Sequence, residues 1–297
     1  MNKDRPLVSF DWAAKRLLRD KANFEVVEGF LSELFGRDLK ITSVLESEGN
    51  KVDIYDKFDR VDVVVEDEFK EIILIEMQFS TDQTYFQRML FGVSKAITDR
   101  MHSGDKYGEV KKIYSINIVY FDLGQGDDYV YHCKAFFEGL HRHDILKLSE
   151  DQRAMFNKAE PGDLYPEYYV LKLNNFNDLA VTKLDEWIYF LKNNRIEESF
   201  SARGLLKARK AMDYAQLSNE EKREYDHVAE ARTRHREQID NAKMIGKIEG
   251  KKEGIAKVKA EIVINCKRNG FSVEQIQAIT GLDEEKILEL LRSNSEE

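Results

Sequence analysis

Two acidic residues at a fixed spacing are the part of this sequence best suited to chemistry. Asp62 lies in a β-branched run, residues 61–65, and Glu76 lies in an apolar run, residues 72–79, with a polar, turn-like segment between the runs. If the two runs form a hairpin whose turn is centred near Phe69, the antiparallel register pairs Asp62 with Glu76. Directly paired residues share a face of the sheet and have Cβ atoms about 5 Å apart.

Two like charges at that separation destabilise the hairpin unless something compensates for them, and a divalent cation is the natural compensator. Mg²⁺ prefers oxygen ligands and keeps several waters, so two carboxylates can hold it against a substrate phosphate. The same register pairs Arg60 with Gln78 and Val64 with Leu74 on this face. The spacing by itself also fits the solvent face of an amphipathic hairpin, but the apolar pair Val64 and Leu74 favours a face that is partly covered.

The elements that must position this pair follow from the spacing of the apolar residues. The sequence predicts helices over Asp11–Phe35 and Thr81–Ser103, which stop at Gly36 and Gly104. Besides the hairpin, it predicts strands over Ile41–Glu46 and Ile113–Phe121. The apolar stripe of the second helix is predicted to consist of Phe86, Met89, Leu90, Val93 and Ile97. This order of elements predicts an α/β fold with a mixed β-sheet flanked by helices.

The second half of the chain becomes increasingly helical. Strands are predicted over Tyr129–Phe137 and Tyr168–Leu173, and Leu184–Leu191 begins a helical remainder that runs to about residue 241. Gly246, Gly250 and Gly254 recur every four residues, which suits either a close helix contact or a flexible linker. Beyond them, Ser272 and Gln275 form a predicted capping box, Gly281 ends that helix, and Asp283 caps another that carries Ile287, Leu290 and Leu291.

Composition limits the classes of protein that this chain can belong to. The 297 residues are 42% hydrophobic and 34% charged, with a formal net charge of -9, which indicates a folded and acidic protein. The longest apolar runs are far shorter than the roughly 20 residues that a membrane span needs. The two cysteines form neither a disulfide framework nor a metal cluster, and Met1–Arg5 leads into no signal-peptide core, so we expect a cytoplasmic protein without a membrane partner.

Charge also suggests how the chain is divided. Residues 201–260 contain 15 Lys and Arg against 10 Asp and Glu, so the rest of the chain carries the acidic excess. We expect a main domain that carries the hairpin over residues 1–200, a basic helical connecting segment over 201–260, and a small helix-turn-helix-like module over 261–297. The overall acidity argues against a protein that coats nucleic acid without specificity, but it permits an enzyme that binds DNA through a local basic stripe or through metal ions.

Several motifs together resemble one family. The set looks like that of the PD-(D/E)xK nuclease family transposases, also called the Rpn or recombination-promoting nuclease family. It comprises Arg60-Val-Asp62, Ile75-Glu76-Met77-Gln78, Tyr85-Phe-Gln-Arg88, the opening Phe10-Asp11-Trp12-Ala13, the segment 184–191 (LDEWIYFL), and the glycine-spaced tail ending in Gly281-Leu282. The resemblance implies a restriction-endonuclease-like core and a Mg²⁺- or Mn²⁺-dependent DNA endonuclease associated with transposition or recombination.

The same resemblance assigns roles to individual residues. It implies that Asp62 and Glu76 are catalytic, metal-binding carboxylates and that Gln78 occupies the position where the wider superfamily has lysine. A neutral amide can orient water or touch a phosphate, but it cannot neutralise developing charge as an ammonium does. The superfamily often adds an acidic residue from the first helix. Glu28 is the candidate metal ligand, with Glu25 as a competitor and a structural role at the rim of the core as the alternative.

Arg60 and Arg88 are the candidate DNA-binding residues. Arg88, one helical turn after Tyr85, can reach a phosphate, and Arg60 lies opposite Gln78; a solvated Arg88 and a structural counter-ion role for Arg60 are the alternatives. The sequence therefore predicts DNA as the partner and leaves a homo-oligomer open. The competing hypothesis is a non-enzymatic DNA-binding or oligomerising protein with a degraded nuclease site.

Overall fold

The computed structural model describes residues 7–17, 21–45, 60–101 and 104–293, and the chain folds as two compact units, residues 1–232 and 233–297. The described helices are α1 Phe10–Leu17, α2 Phe24–Phe35, α3 Tyr85–Thr98, α4 Glu150–Phe156, α5 Lys183–Asn193, α6 Leu205–Ala211, α7 Asn219–Arg268, α8 Val273–Thr280 and α9 Glu284–Ser293. The described strands are β1 Ile41–Leu45, β2 Arg60–Asp67, β3 Ile72–Gln78, β4 Ile113–Val119, β5 Val130–Cys133 and β6 Glu167–Lys172. None of the described helices has the length and apolar character that crossing a membrane requires.

The described strands form one mixed sheet in the order β1-β2-β3-β4-β6-β5. The pairs β3–β4 and β4–β6 are parallel, whereas β1–β2, β2–β3 and β5–β6 are antiparallel. The predicted hairpin register is confirmed, because β2 and β3 pair Asp62 with Glu76, Arg60 with Gln78 and Val64 with Leu74. The predicted fold class, a mixed sheet flanked by helices with a helical C-terminal region, is therefore confirmed.

The two faces of the sheet are covered by different helices. Alternate residues of β3, namely Ile73, Ile75 and Met77, belong to the main core with α2. Ile72 and Leu74 pack on the other face against α3. Because side chains alternate along a strand, Glu76 and Gln78 belong to the α3 face. The partly covered face predicted from the pair Val64 and Leu74 is confirmed, since Val64 packs beneath α3.

The first predicted helix is wrong as a single element. The structure has two helices, α1 and α2, with a 3₁₀ turn over Lys21–Asn23 before α2, and residues 18–20 lie outside the described ranges. Asp20 and Asn23 are poor residues for a helix interior because their side chains compete for backbone hydrogen bonds. Gly36 ends α2 in a left-handed conformation, as predicted.

The predicted stripe of α3 is also partly wrong. Met89 and Val93 are buried as expected, but Phe86 and Leu90 are exposed, and the remaining buried positions are Tyr85 and Ala96. The helix is shorter than predicted as well, since it spans Tyr85–Thr98 and residues 102–103 lie outside the described ranges. The predicted stripe and the observed set of buried residues both have helical spacing, so the sequence pattern of α3 does not distinguish between them.

The remaining elements follow the predictions with shorter bounds. β6 matches the predicted strand closely, whereas β5 ends at Cys133, after which Lys134 forms an ion pair with Asp163.

Glycine makes a close contact between α2 and the start of α6 possible. A Cβ on Gly29 of α2 would overlap the carbonyl oxygen of Arg203, and Gly204 beside it adopts a positive φ of 81°.

The C-terminal unit confirms the predicted caps. Ser272 and Gln275 form the capping box of α8, Gly281 ends that helix in a left-handed conformation, and Asp283 accepts a hydrogen bond from the backbone of Lys286 at the start of α9. A small core joins the three helices and is centred on Val263, Ile276 and Ile287. The three spaced glycines lie inside α7, so this segment is a helix and not a linker. The predicted close helix contact is not seen among the described residues, because a Cβ at any of the three glycines would meet nothing within 4 Å. The predicted domain boundaries near residues 200 and 260 stay a prediction.

Candidate active site

The hairpin β2–β3 brings the two predicted catalytic carboxylate positions side by side. Asp62 and Glu76 are direct partners in the antiparallel ladder, and Arg60 and Gln78 are the next partners on the same face. The side chains of Arg60 and Asp62 lie outside what the structure describes, so their placement is known from the backbone register alone. Glu76 is partly buried.

On its other side, Glu76 pairs with Asn117 of the parallel strand β4. Asn117 is fully buried, and its Nδ2 donates to the backbone oxygen and the hydroxyl of Ser115 over 3.0 and 2.9 Å and to the carbonyl of Tyr169 over 3.2 Å. Its Oδ1 accepts a hydrogen bond of 3.4 Å from the hydroxyl of Tyr85, the first residue of α3. This network fixes the start of α3 beside the strand that borders Glu76.

Gln78 has an amide whose orientation follows from its neighbours. The residue is 4% exposed, and its Nε2 donates to the carbonyl oxygen and the hydroxyl oxygen of Ser80 over 3.4 and 3.3 Å. A carbonyl oxygen can only accept, so the nitrogen must lie on the side of Ser80 and the oxygen on the opposite side. Among the described residues, Gln78 Oε1 is buried without a hydrogen-bond partner. Buried acceptors of this kind ordinarily have a water or an ion as partner.

The second candidate for DNA contact, Arg88, lies in the first turn of α3 and is paired with the loop before that helix. Arg88 Nε lies 3.1 Å from Asp82 Oδ2, and Asp82 Oδ1 accepts hydrogen bonds of 2.8 Å from both the backbone nitrogen and the hydroxyl of Thr84. Burial acts to raise the pKa of Asp82, but the hydrogen bonds from Thr84 and the charge of Arg88 outweigh it, so the pKa lies below its usual value. Arg88 is therefore a partly exposed guanidinium with one acidic neighbour.

The structure does not bring Glu28 to the hairpin pair. Glu28 lies on α2, which covers the face of the sheet opposite to Glu76, and it is buried. Its Oε1 accepts a hydrogen bond of 2.9 Å from the backbone of Ile41, and its Oε2 accepts one of 3.1 Å from Lys40. These contacts anchor the start of β1. The competitor, Glu25, forms a 3.0 Å ion pair with Lys207 at the surface.

The donor set at the hairpin fits a hard divalent cation. Among the side chains that the structure describes, no three His, Cys, Asp or Glu residues are grouped as a metal site, and Asp62 lies outside that set. The buried acceptor of Gln78 shares a face with Glu76. Carboxylate and amide oxygens are the ligands that Mg²⁺ and Mn²⁺ accept.

The sequence reasoning missed Asn117 and Ser115. A signal was available, because Asn117 is the one strongly polar residue in the apolar run 116–119 of a predicted buried strand. A buried polar residue needs hydrogen-bond partners, and it therefore marks a position where the fold is tightly specified. Tyr85 belongs to one of the sequence motifs and is fully buried, although the predicted apolar stripe of α3 does not include it.

One protein family matches most of this chain. The family model described as PD-(D/E)XK nuclease family transposase matches residues 8–242 of the chain. The chain belongs to this family of nucleases linked to transposition, and the resemblance noted in the sequence is confirmed. The matched range includes β2, β3 and α3, which carry the candidate site. Comparisons with curated proteins and with solved structures found no match.

Proposed function

We propose that this protein is a metal-dependent DNA endonuclease that hydrolyses phosphodiester bonds during transposition or recombination of a mobile element. The observation that carries the proposal is the register of β2 and β3, in which Asp62 is the direct partner of Glu76. Membership of a nuclease family supports the reaction class. Two paired carboxylate positions at the edge of a helix-covered face support the use of a cation.

In this proposal, Asp62 and Glu76 hold one Mg²⁺ or Mn²⁺ ion. When bound, the ion polarises the phosphoryl group and lowers the pKa of the attacking water. The carboxylates bring the cation and the DNA phosphate together, and no nucleophilic serine or cysteine is needed because water attacks the phosphorus directly. We leave Glu28 out of the ligand set, since its two oxygens already bind Ile41 and Lys40 on the opposite face.

Gln78 has a role in this proposal that differs from that of a lysine. Its amide nitrogen is directed to Ser80, so its oxygen faces the rest of the site as an acceptor. An acceptor can orient the attacking water or add a ligand to the cation, but it cannot neutralise negative charge in the transition state. The cation therefore takes over the task of the missing lysine, and activity depends on it more strongly than in a lysine-containing site.

Arg88 and Arg60 are the proposed DNA contacts. Arg88 lies in the first turn of α3, next to the site, and keeps about a third of its side chain exposed. An arginine fork matches the geometry of a phosphate, and one acidic neighbour orients it without burying it. Arg60 follows from register alone, as the partner of Gln78.

The second candidate is a non-enzymatic DNA-binding or oligomerising protein with a degraded nuclease site. The residue that favours it is Gln78, which removes the positive charge that the superfamily has at this position. The two candidates differ in metal binding, because a degraded site has no need of a specific divalent ion.

The test uses the full chain with supercoiled and linear DNA. We expect cleavage with Mg²⁺ or Mn²⁺, loss of cleavage with EDTA, and loss in Asp62→Ala and Glu76→Ala, while the exposed-loop control Asp127→Ala retains activity. Calorimetry should show one divalent-ion site in the wild type and none in either site variant. Cleavage that survives both alanine substitutions contradicts the endonuclease proposal, and DNA binding without any metal site supports the second candidate.

A further inference from the structure

The second half of α7 carries an apolar stripe that is exposed among the residues that the structure describes. Met244, Ile245, Ile248, Ile255 and Val258 are each between 48% and 58% exposed. We call these five residues the α7 stripe. Met244, Ile248, Ile255 and Val258 follow the alternating three- and four-residue spacing of a heptad repeat, which the less exposed Ile262 continues, and Lys251 occupies the single missing position.

This part of α7 is poorly suited to stand as an isolated helix. Gly246, Gly250 and Gly254 lie within it, and a Cβ at any of these positions would meet nothing within 4 Å. Glycine disfavours a helix interior because it loses more backbone entropy than other residues on ordering. A helix with three such residues and an exposed apolar stripe gains stability when that stripe packs against a partner.

We propose that the partner is a second copy of this chain, with the two α7 stripes packed antiparallel in a coiled coil. In an antiparallel heptad arrangement, each position of one core row faces the other core row of the partner. The stripe is self-complementary in that register. It pairs Ile248 with the partner's Val258, Met244 with the partner's Ile262, and Ile255 with the aliphatic stem of the partner's Lys251. Asn241 faces the partner's Asn265 at each end, and a polar pair of this kind fixes the register.

The charged residues beside the core rows favour an antiparallel arrangement of the two helices. Beside the core rows, Lys247 faces the partner's Glu261 twice, once on each side of the two-fold axis, and one repulsive pair is left where Lys252 meets its own copy. A parallel pair would instead put Lys251 against its own copy within the core and Lys247 beside the partner's Lys252 on both sides. The charges around the stripe therefore favour the antiparallel dimer and oppose the parallel one.

The remaining helices of this unit leave the stripe available. α8 and α9 bury Val263, which lies beyond the C-terminal end of the α7 stripe, and their core includes Ile276 and Ile287. An apolar stripe flanked by both signs of charge does not suit nucleic acid, whose binding surfaces are basic. The interface is a symmetric one in which both copies use the same residues.

Sedimentation equilibrium on the full chain tests the dimer. We expect the wild type to have twice the chain mass of 34.7 kDa and the double variant Ile248→Asp, Ile255→Asp to sediment as a monomer. Leu140→Asp, at a residue that is 89% exposed in the first unit, is the matched control and should remain dimeric. A monomeric wild type, or a dimer that survives the two aspartates, overturns the proposal.

A charge exchange tests the antiparallel register without removing apolar residues. Lys247→Glu and Glu261→Lys should each raise the dimer Kd about tenfold, because each replaces two attractive contacts by repulsive ones. The combined variant should return to the wild-type Kd. Failure of the combined variant to recover would contradict this register. Mass and Kd are measured without metal or DNA, so the outcome is independent of the nuclease assignment.

Discussion

The hydroxyl of Tyr85 on α3 donates to Oδ1 of Asn117 on β4 over 3.4 Å, and Asn117 is the strand neighbour of Glu76. The contact couples the helix that carries Arg88 to the strand beside the proposed metal site. Asn117 is fully buried and bonds three further oxygens, so its own position is strongly determined. The buried amide of Asn117 therefore helps to fix the placement of the proposed DNA-binding helix beside the strands that carry Asp62 and Glu76.

This coupling predicts different costs for two substitutions. Tyr85→Phe removes one neutral hydrogen bond and should lower the free energy of unfolding by about 1 kcal/mol. Asn117→Ala removes the hydrogen bonds of the Asn117 amide to Tyr85, Ser115 and Tyr169 and opens a small cavity, so we expect a loss of about 3 kcal/mol. Urea denaturation measures both. Equal losses in the two variants would show that the amide network does not determine this part of the fold.

Gln78 offers a direct test of the proposed metal environment. Because its oxygen faces the site, Gln78→Glu should bind Mn²⁺ about tenfold more tightly, since a carboxylate is a stronger ligand than an amide for a hard cation. Gln78→Lys should weaken binding, because it places a cation next to the ion. Calorimetry without DNA measures both constants.

A matched pair provides the control for that series. Gln78→Leu keeps the approximate volume but removes the oxygen, whereas Gln87→Leu changes an exposed glutamine of α3. We expect weaker Mn²⁺ binding in the first variant and an unchanged constant in the second. If Gln78→Leu binds Mn²⁺ as the wild type does, the buried oxygen has no contact with the ion or its waters.

The hairpin could be predicted from the sequence because its information is local. The polar segment 66–71 limits where the turn can lie, and alternation along two short runs fixes which residues share a face. The register of Asp62 with Glu76 is confirmed for that reason. The caps of α8 and α9 could be predicted for the same reason, since a capping box involves residues only three positions apart.

The sequence predictions are wrong where contacts between distant parts of the chain determine which residues are buried. Tyr85 is buried and contacts Asn117, which is 32 residues away, whereas Phe86 beside it is exposed. Glu28 could be assigned to a buried helix face from its spacing. The face of the sheet that its helix covers is set by chain topology, and the sequence pattern carries no information on it.

Arg88 should contribute to DNA affinity through its charge. If Arg88 binds one phosphate, Arg88→Gln weakens binding for all DNA sequences and lowers the slope of log K against log salt by about 1. Asp82→Asn breaks the ion pair but keeps the guanidinium, so it should retain that slope. Fluorescence anisotropy across a salt series measures both. Identical slopes for Arg88→Gln and the wild type would assign Arg88 a purely structural role.

A buried ion pair at the other end of the sheet should matter for stability. Lys112 Nζ lies 2.8 Å from Glu167 Oε1, and both side chains are largely buried, while His132 Nε2 lies 2.8 Å from Glu167 Oε2. Lys112→Met leaves Glu167 without its main partner, so we expect a loss of about 3 kcal/mol. The double variant Lys112→Met, Glu167→Leu should lose less than the single one. If the losses in Lys112→Met and Glu167→Leu add up to the loss in the double variant, the two residues do not stabilise the fold as a pair.

The surroundings of Asp185 predict how the free energy of unfolding falls at low pH. It lies in the capping box of α5, where Tyr129 donates to its Oδ1 over 2.6 Å and the backbone nitrogens of Thr182 and Val181 donate to its Oδ2. Burial acts to raise the pKa of Asp185, but these hydrogen bonds outweigh it and hold the pKa below the usual value. The same contact with Asp185 raises the pKa of Tyr129 to about 12.

Because the pKa of Asp185 is lower in the folded state than in the unfolded one, its contribution is fully present above about pH 4 and is lost as the pH falls through the folded value. Asp185→Asn should therefore cost about 2 kcal/mol at neutral pH and much less at low pH, where the wild-type group is protonated. Urea denaturation of both proteins across this range measures the difference. A difference that stays constant from neutral pH into the acid range would mean that Asp185 acts through its shape and not through its charge.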